Sequence, residues 1–100
     1  MLGASGQIYT GCNVENASYG LSICAERAAI FAAVCAGEGR IQAVAVVAEA
    51  VEPAMPCGAC RQVIQEFAAS SEMAIVVANN AGRQRELTLA EVFPVPFVLP

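Results

Sequence analysis

The sequence predicts a single α/β domain of layered type. Three observations carry this reading. Val- and Ala-rich runs at 41–48 and 73–78 read as buried strands, a segment of helical character precedes each of them, and Gly, Pro and Asn punctuate the joints. One hundred residues suffice for one domain and not for two.

Residues 7–14 read as a first strand, and residues 15–23, carrying Asn, Ser and Gly, as an irregular loop. A helix fits 24–36, where Ala28, Phe31 and Cys35 recur at helical spacing and Gly37 supplies the stop. The run 41–48 is a buried strand. Pro53 and Pro56 break the loop after it, and 57–69 is a second helix with Val63, Ile64 and Phe67 on its apolar side. Residues 73–78 are a short buried strand, 79–82 (Asn-Asn-Ala-Gly) a turn, and 83–87 a polar edge strand. Thr88-Leu89-Ala90-Glu91 is a capping-box pattern that opens a last short helix. The tail, 93–97, is extended and apolar.

Composition narrows the function. Five cations, all Arg, stand against nine anions, all Glu, for a net charge of −4. That balance argues against a nucleic-acid partner, because phosphate-backbone affinity is built from clustered Lys and Arg. A small molecule or another protein chain is the expected partner. The chain has no His. This removes Ser-His-Asp and Cys-His nucleophile pairs, His general bases and His metal ligands. Hydrophobic residues make up 57% and Gly adds 8 per hundred, against a norm of about 45–50% with Gly included. A domain of this size buries only roughly 60–70% of its chain surface, so the excess predicts burial between subunits. It does not predict a membrane span, since the longest apolar stretches, 28–36 and 43–48, fall far short of the ~18–20 residues required. The start, MLGASGQIYT, has neither a cationic nor an apolar signal region. A cytoplasmic location is expected, with five cysteines, an odd count, as reduced thiols or metal ligands.

Two segments concentrate the chemistry: Cys24-Ala25-Glu26-Arg27 and Pro56-Cys57-Gly58-Ala59-Cys60-Arg61. Each sits where a helix begins. Cys57 and Cys60, three apart, share one face of a first turn. Helix N-termini offer unpaired N–H groups and a positive dipole end, which favour thiolate over thiol. Two such ends facing each other make a Cys₃ site for Zn²⁺, three protein ligands with the fourth position left to water, as in catalytic sites. A CxxC pair alone is equally a redox pair or half of a structural zinc site. A closed site needs a fourth ligand, and only Cys12 or Cys35 remains. Cys35 lies about three turns beyond Cys24 on one helix, too far to share its metal, and Cys12 reads as a small packed residue of the first strand. The open site is favoured. Glu26 is either a favourable charge at a helix start or a general acid/base beside the metal-bound water. Arg27 is either a solvated helix residue or a hydrogen-bond donor to the thiolates that keeps the metal electrophilic.

The blocks TGCNVENASYG, ICAER and PCGACRQVIQEF resemble the zinc-dependent nucleoside deaminases, within them the small homotetrameric cytidine deaminases, over nearly the whole chain from about Gln7 to Phe97. The resemblance implies a three-layer α/β/α domain with a mixed sheet, Zn²⁺ on Cys24, Cys57 and Cys60, and Glu26 as proton shuttle in the hydrolytic deamination of cytidine or deoxycytidine. It implies that Asn13 and Glu15 hold the ribose hydroxyls, although by themselves they read as a polar strand end. It further implies that the backbone of Ala25 contacts water and base, and that Phe97, otherwise a core anchor, reaches a neighbour's site in a tetramer. The family has an N-terminal helix and a strand bearing Phe-x-Val-Gly-Ala before the segment matching Gln7, where this sequence has little more than MLGAS. Truncation and weakened turnover are therefore expected. Two other readings stand beside the leading one: a deaminase of modified cytosine nucleosides, and a zinc-stabilised subunit that acts through oligomer contacts. Asn13-Val14-Glu15-Asn16 favours an ordinary ribose.

Overall fold

The computed structural model describes residues 1–100. Two parallel strands form its centre: β2 (Ile41–Ala48) and β3 (Ala74–Asn79), in register from Ala43 opposite Ala74 to Ala48 opposite Asn79. Parallel neighbours need a crossover connection, and α2 (Gly58–Phe67) supplies it. β4 (Gln84–Thr88) pairs antiparallel with β3, and a two-residue β1 (Leu2–Gly3) pairs antiparallel with β2. The result is a mixed sheet in the order β1-β2-β3-β4. No helix is long and apolar enough to cross a membrane.

Helix α1 (Ala25–Cys35) starts at Cys24, an extended N-cap, and stops at Ala36, after which Gly37 takes φ 93°. That left-handed backbone suits Gly. α2 begins likewise from an extended Cys57. The Thr88–Glu91 capping box is formed in both directions and opens α3 (Leu89–Val92). Alternation along β3 turns Ile75, Val77 and Asn79 toward the helices. There Ile75 and Val77 join Ile30 of α1, Ile64 of α2, and Leu89 and Val92 of α3 in one core. The opposite sheet face carries Ala43, Ala45, Val47, Ala74, Val76 and Ala78, none of them buried.

Three expectations need correction. Residues 7–14 are not a strand: Ile8 and Val14 make only isolated bridges, to Leu2 and Ile23. Tyr9 exchanges both backbone bonds with Met1, and then the chain leaves the sheet to press Gly11 against α1. Cys12 is accordingly exposed, not packed. In α1 the periodic set Ala28, Phe31 and Cys35 is not the buried face, which is Ala29, Ile30 and Ala33. The helix is apolar nearly all round, so spacing alone does not choose a side.

Candidate active site and metal centre

The starts of α1 and α2 meet, and with them three thiols. Cys24 Sγ lies 3.8 Å from Cys57 Sγ, and Cys57 Sγ 3.5 Å from Cys60 Sγ. All three sulfurs fall within 4.8 Å of one another. Tetrahedral zinc with bonds of about 2.3 Å holds its sulfurs roughly 3.8 Å apart, so the cluster fits that ion with little movement. Cys12 and Cys35 lie outside it. The set is therefore three cysteines with no fourth protein ligand, the donor set of an open zinc site.

The thiols are not equivalent. The backbone N–H of Cys60 holds the Cys57 thiol below its ordinary pKa; burial works against this, and the sulfurs of Cys60 and Cys24 and the N–H of Ala59 reinforce it. Cys60 is fully buried. Burial pushes its thiol up, with the Cys57 sulfur and the Glu26 charge adding to the rise. Arg27 supplies the compensating cation. Its Nη2 donates to Cys24 Sγ at 3.6 Å, and Cys24, then Cys60, holds the guanidinium in its charged form. Its Nε is buried with no partner. A half-buried guanidinium aimed at sulfur suits an anionic thiolate set.

Glu26 sits in the first turn of α1, half-buried. It lines a cavity of about 250 Å³ together with Met1, Tyr9, Thr10, Gly11 and Val46. One wall is the β2 edge from Val44 to Val47, beyond the reach of β1, which pairs only with Ile41 and Ala43. Asn13 stands at the same helix start, where its Oδ1 accepts a hydrogen bond from Ala25 N at 2.8 Å. Glu15 is exposed on the following loop. That loop is held by Asn16, whose N–H donates to Ser22 Oγ and whose Oδ1 accepts from Ser18 N.

The fold thus brings together Cys24, Ala25, Glu26, Arg27, Cys57, Cys60 and Asn13. It does not bring Phe97 to the Glu26 cavity. Phe97 lies in a groove with Gln62, Gln65 and Glu66 on α2, its carbonyl accepting from Gln62 Nε2 at 3.0 Å. Two contributors escaped the sequence reading. Gly11 packs so closely on α1 that a Cβ there would fall 2.5 Å from Ala25 O and from Ala29 N. Arg61 donates from Nε to Pro56 O at 2.7 Å and from Nη1 to Val92 O at 2.6 Å, tying the loop that delivers Cys57 to α3. The only sequence sign of either was adjacency to a cysteine.

Residues 1–86 match the family described as the cytidine and deoxycytidylate deaminase zinc-binding region. The chain is 46% identical over 97 residues to a protein of Sporosarcina psychrophila named cytidine deaminase, covering 97% of this chain and 71% of that one. It is 42% identical over 97 residues to another of that name from Halalkalibacterium halodurans, covering 97% and 73%. The crystal structure of cytidine deaminase from Burkholderia pseudomallei superposes with a TM-score of 0.85 at 41% identity, covering 96% of this chain and 76% of that one. The match of residues 1–86 to the family, together with relatives 46% and 42% identical over nearly the whole chain, makes this chain a member of the cytidine and deoxycytidylate deaminase zinc-binding family.

Proposed function

We propose that this protein is a zinc-dependent enzyme that hydrolytically deaminates cytidine and deoxycytidine to uridine and deoxyuridine, releasing ammonia. The observation that carries the reading is a Cys₃ cluster beside a cavity lined by one carboxylate, Glu26. Cys24, Cys57 and Cys60 hold the metal in this reading. When bound, zinc supplies the Lewis acidity that lets a water ionise near neutral pH.

The remaining work falls to the chain. Glu26 takes a proton from the attacking water and hands it to N3 of the cytosine ring. The water oxygen adds at C4. Glu26 then carries the proton of the new C4 hydroxyl to the 4-amino group; the C4–N bond breaks, ammonia leaves and C4 becomes a carbonyl. With no His in the chain, the one acid on the cavity wall is the natural shuttle. Asn13 and Glu15 receive the sugar, an amide and a carboxylate being able to hydrogen-bond hydroxyls directly. Arg27 stabilises the thiolates from behind. The backbone at Ala25 borders the base.

A tetramer completes the proposal. Val95, Phe97, Val98 and Leu99 are exposed on an apolar tail, and such a patch fits association. In that assembly Phe97 serves a neighbouring copy's cavity. The five free thiols suit the cytoplasm, where thiols stay reduced. A second reading, a zinc-bound subunit of weak turnover, rests on the β2 edge that no strand covers from Val44 to Val47. An ammonia-release assay on cytidine, with uridine identified as product, tests the first reading. Zinc-loaded protein with no turnover would leave the second.

A further inference from the structure

We propose that Asn13 is a positioning residue: its Oδ1 caps the first N–H of α1, and this fixes where Cys24 and Glu26 stand. It deepens the reading above, in which Asn13 is only a sugar contact, but its central test needs no turnover. The first N–H groups of a helix have no partner within the helix. The N-cap here is Cys24, whose side chain makes no capping bond. Its sulfur belongs to the thiol cluster instead. The helix start is therefore capped from outside, by Asn13 from twelve residues upstream, at 2.8 Å on Ala25 N.

The approach is specific. Gly11, two residues before Asn13, touches the same turn, and a Cβ in its place would fall 2.5 Å from Ala25 O and Ala29 N. Both obstacles are helix backbone, which cannot swing aside. Gly11 and Asn13 together pin the turn that presents Cys24 to the cluster and Glu26 to the cavity.

The contact also fixes the orientation of the amide. A backbone N–H only donates, so the atom facing Ala25 is the carbonyl oxygen. What remains for a ligand is chiefly the Nδ2 donor. Asn13 therefore meets a sugar as a donor to oxygen, and Glu15, a carboxylate, can only accept. Two neighbouring residues so divide the roles that one hydroxyl pair requires.

Cobalt(II) binding to the purified full chain tests this, read by the thiolate charge-transfer and ligand-field bands. Asn13→Ala removes the cap; Asn13→Asp keeps an acceptor for Ala25 N and loses the donor. We expect Asn13→Ala to weaken cobalt binding about tenfold or more and to alter its bands, as loss of groups that orient metal ligands does. Asn13→Asp should restore both to wild type. Wild-type binding and bands in Asn13→Ala would overturn the proposal, and so would Asn13→Asp behaving like Asn13→Ala. If Asn13→Ala does not fold, Asn13→Asp decides: a folded protein with the wild-type spectrum supports the cap, and any other spectrum, or failure to fold, refutes it. On cytidine, Asn13→Asp should raise KM with kcat largely kept. A wild-type chain inactive on cytidine would defeat the proposed activity and leave the cobalt result standing.

Discussion

Arg27 holds Cys24 from one turn further along the same helix, its Nη2 3.6 Å from the Cys24 sulfur. Three residues is the spacing at which helix side chains meet. The ligand and its cation thus arrive on one rigid element, whereas Cys57 and Cys60 arrive on another. Removing the cation leaves the thiolate set, with Cys60 at its buried end, without its counter-charge.

That geometry makes the first prediction. Cys57→Ala should lose zinc, and Cys35→Ala, outside the cluster, should keep it. Arg27→Ala should keep the ligands but bind zinc about 10–100-fold more weakly. Elemental analysis after dialysis against graded chelator reads all three. Equal zinc in wild type and Cys57→Ala would remove the site assignment.

Glu26→Gln should keep zinc and fold but turn over more slowly by about 10²–10⁴-fold, because an amide cannot shuttle the proton. The measurement is kcat on cytidine at matched zinc content. A rate near wild type would mean that another group moves the proton.

The open β2 edge predicts a gain of function. An N-terminal extension carrying a family-like helix and a Phe-bearing strand should pair with β2 from Val44 onward, closing one wall of the Glu26 cavity. We expect kcat/KM to rise by up to about 10²-fold, the scale on which better placement of a substrate acts. Phe97→Ala should lower kcat/KM in the oligomer. Light scattering gives the assembly and ammonia release the rate. A monodisperse monomer, or full activity without the extension, would contradict this account.

Stability should depend on pH through Glu38. Its carboxylate accepts from the Ser5 hydroxyl, from Ser5 N at 3.1 Å and from Tyr9 OH at 3.0 Å. The Ser5 hydroxyl, then the Ser5 N–H, draws its pKa below the ordinary carboxylate value, and Tyr9 adds to this. A depressed folded pKa gives stability that is full above the unfolded value and lost as pH falls through the folded one. Thermal melts of wild type should therefore decline on acidification below the ordinary carboxylate range. Glu38→Gln should show less of that decline. Parallel curves for the two proteins would exclude Glu38 as its source.

Asn79 is the buried polar anchor of the 50–51 loop, 5% exposed. Its Nδ2 donates to Ala50 O at 3.1 Å and Val51 O at 2.9 Å, and its Oδ1 accepts from Ala81 N and Arg83 N. Asn79→Ala should destabilise by about 1–2 kcal/mol, since four hydrogen bonds made by a buried amide are lost. Urea unfolding measures it, and a change within error would show that water replaces the amide.

Local chemistry was readable from the sequence alone. Helix starts at Cys24 and Cys57, the stop at Gly37, the Thr88–Glu91 box and the two apolar strands are decided within a few residues, and each stands where the pattern put it, within a residue or two. The three thiols of the cluster were legible because each falls at or within the first turn of a helix, a local feature of the sequence. Tertiary structure decided what depends on distant partners. It brought Cys24 within 3.8 Å of Cys57, 33 residues away. It chose Ala29, Ile30 and Ala33 as the buried face of a helix apolar on nearly every side. It drew residues 10–13 out of the sheet and onto α1, because Gly11 fits against helix backbone where no side chain would. Burial and long-range contact are properties of the packed chain, and no periodicity in the sequence encodes which neighbour will be there.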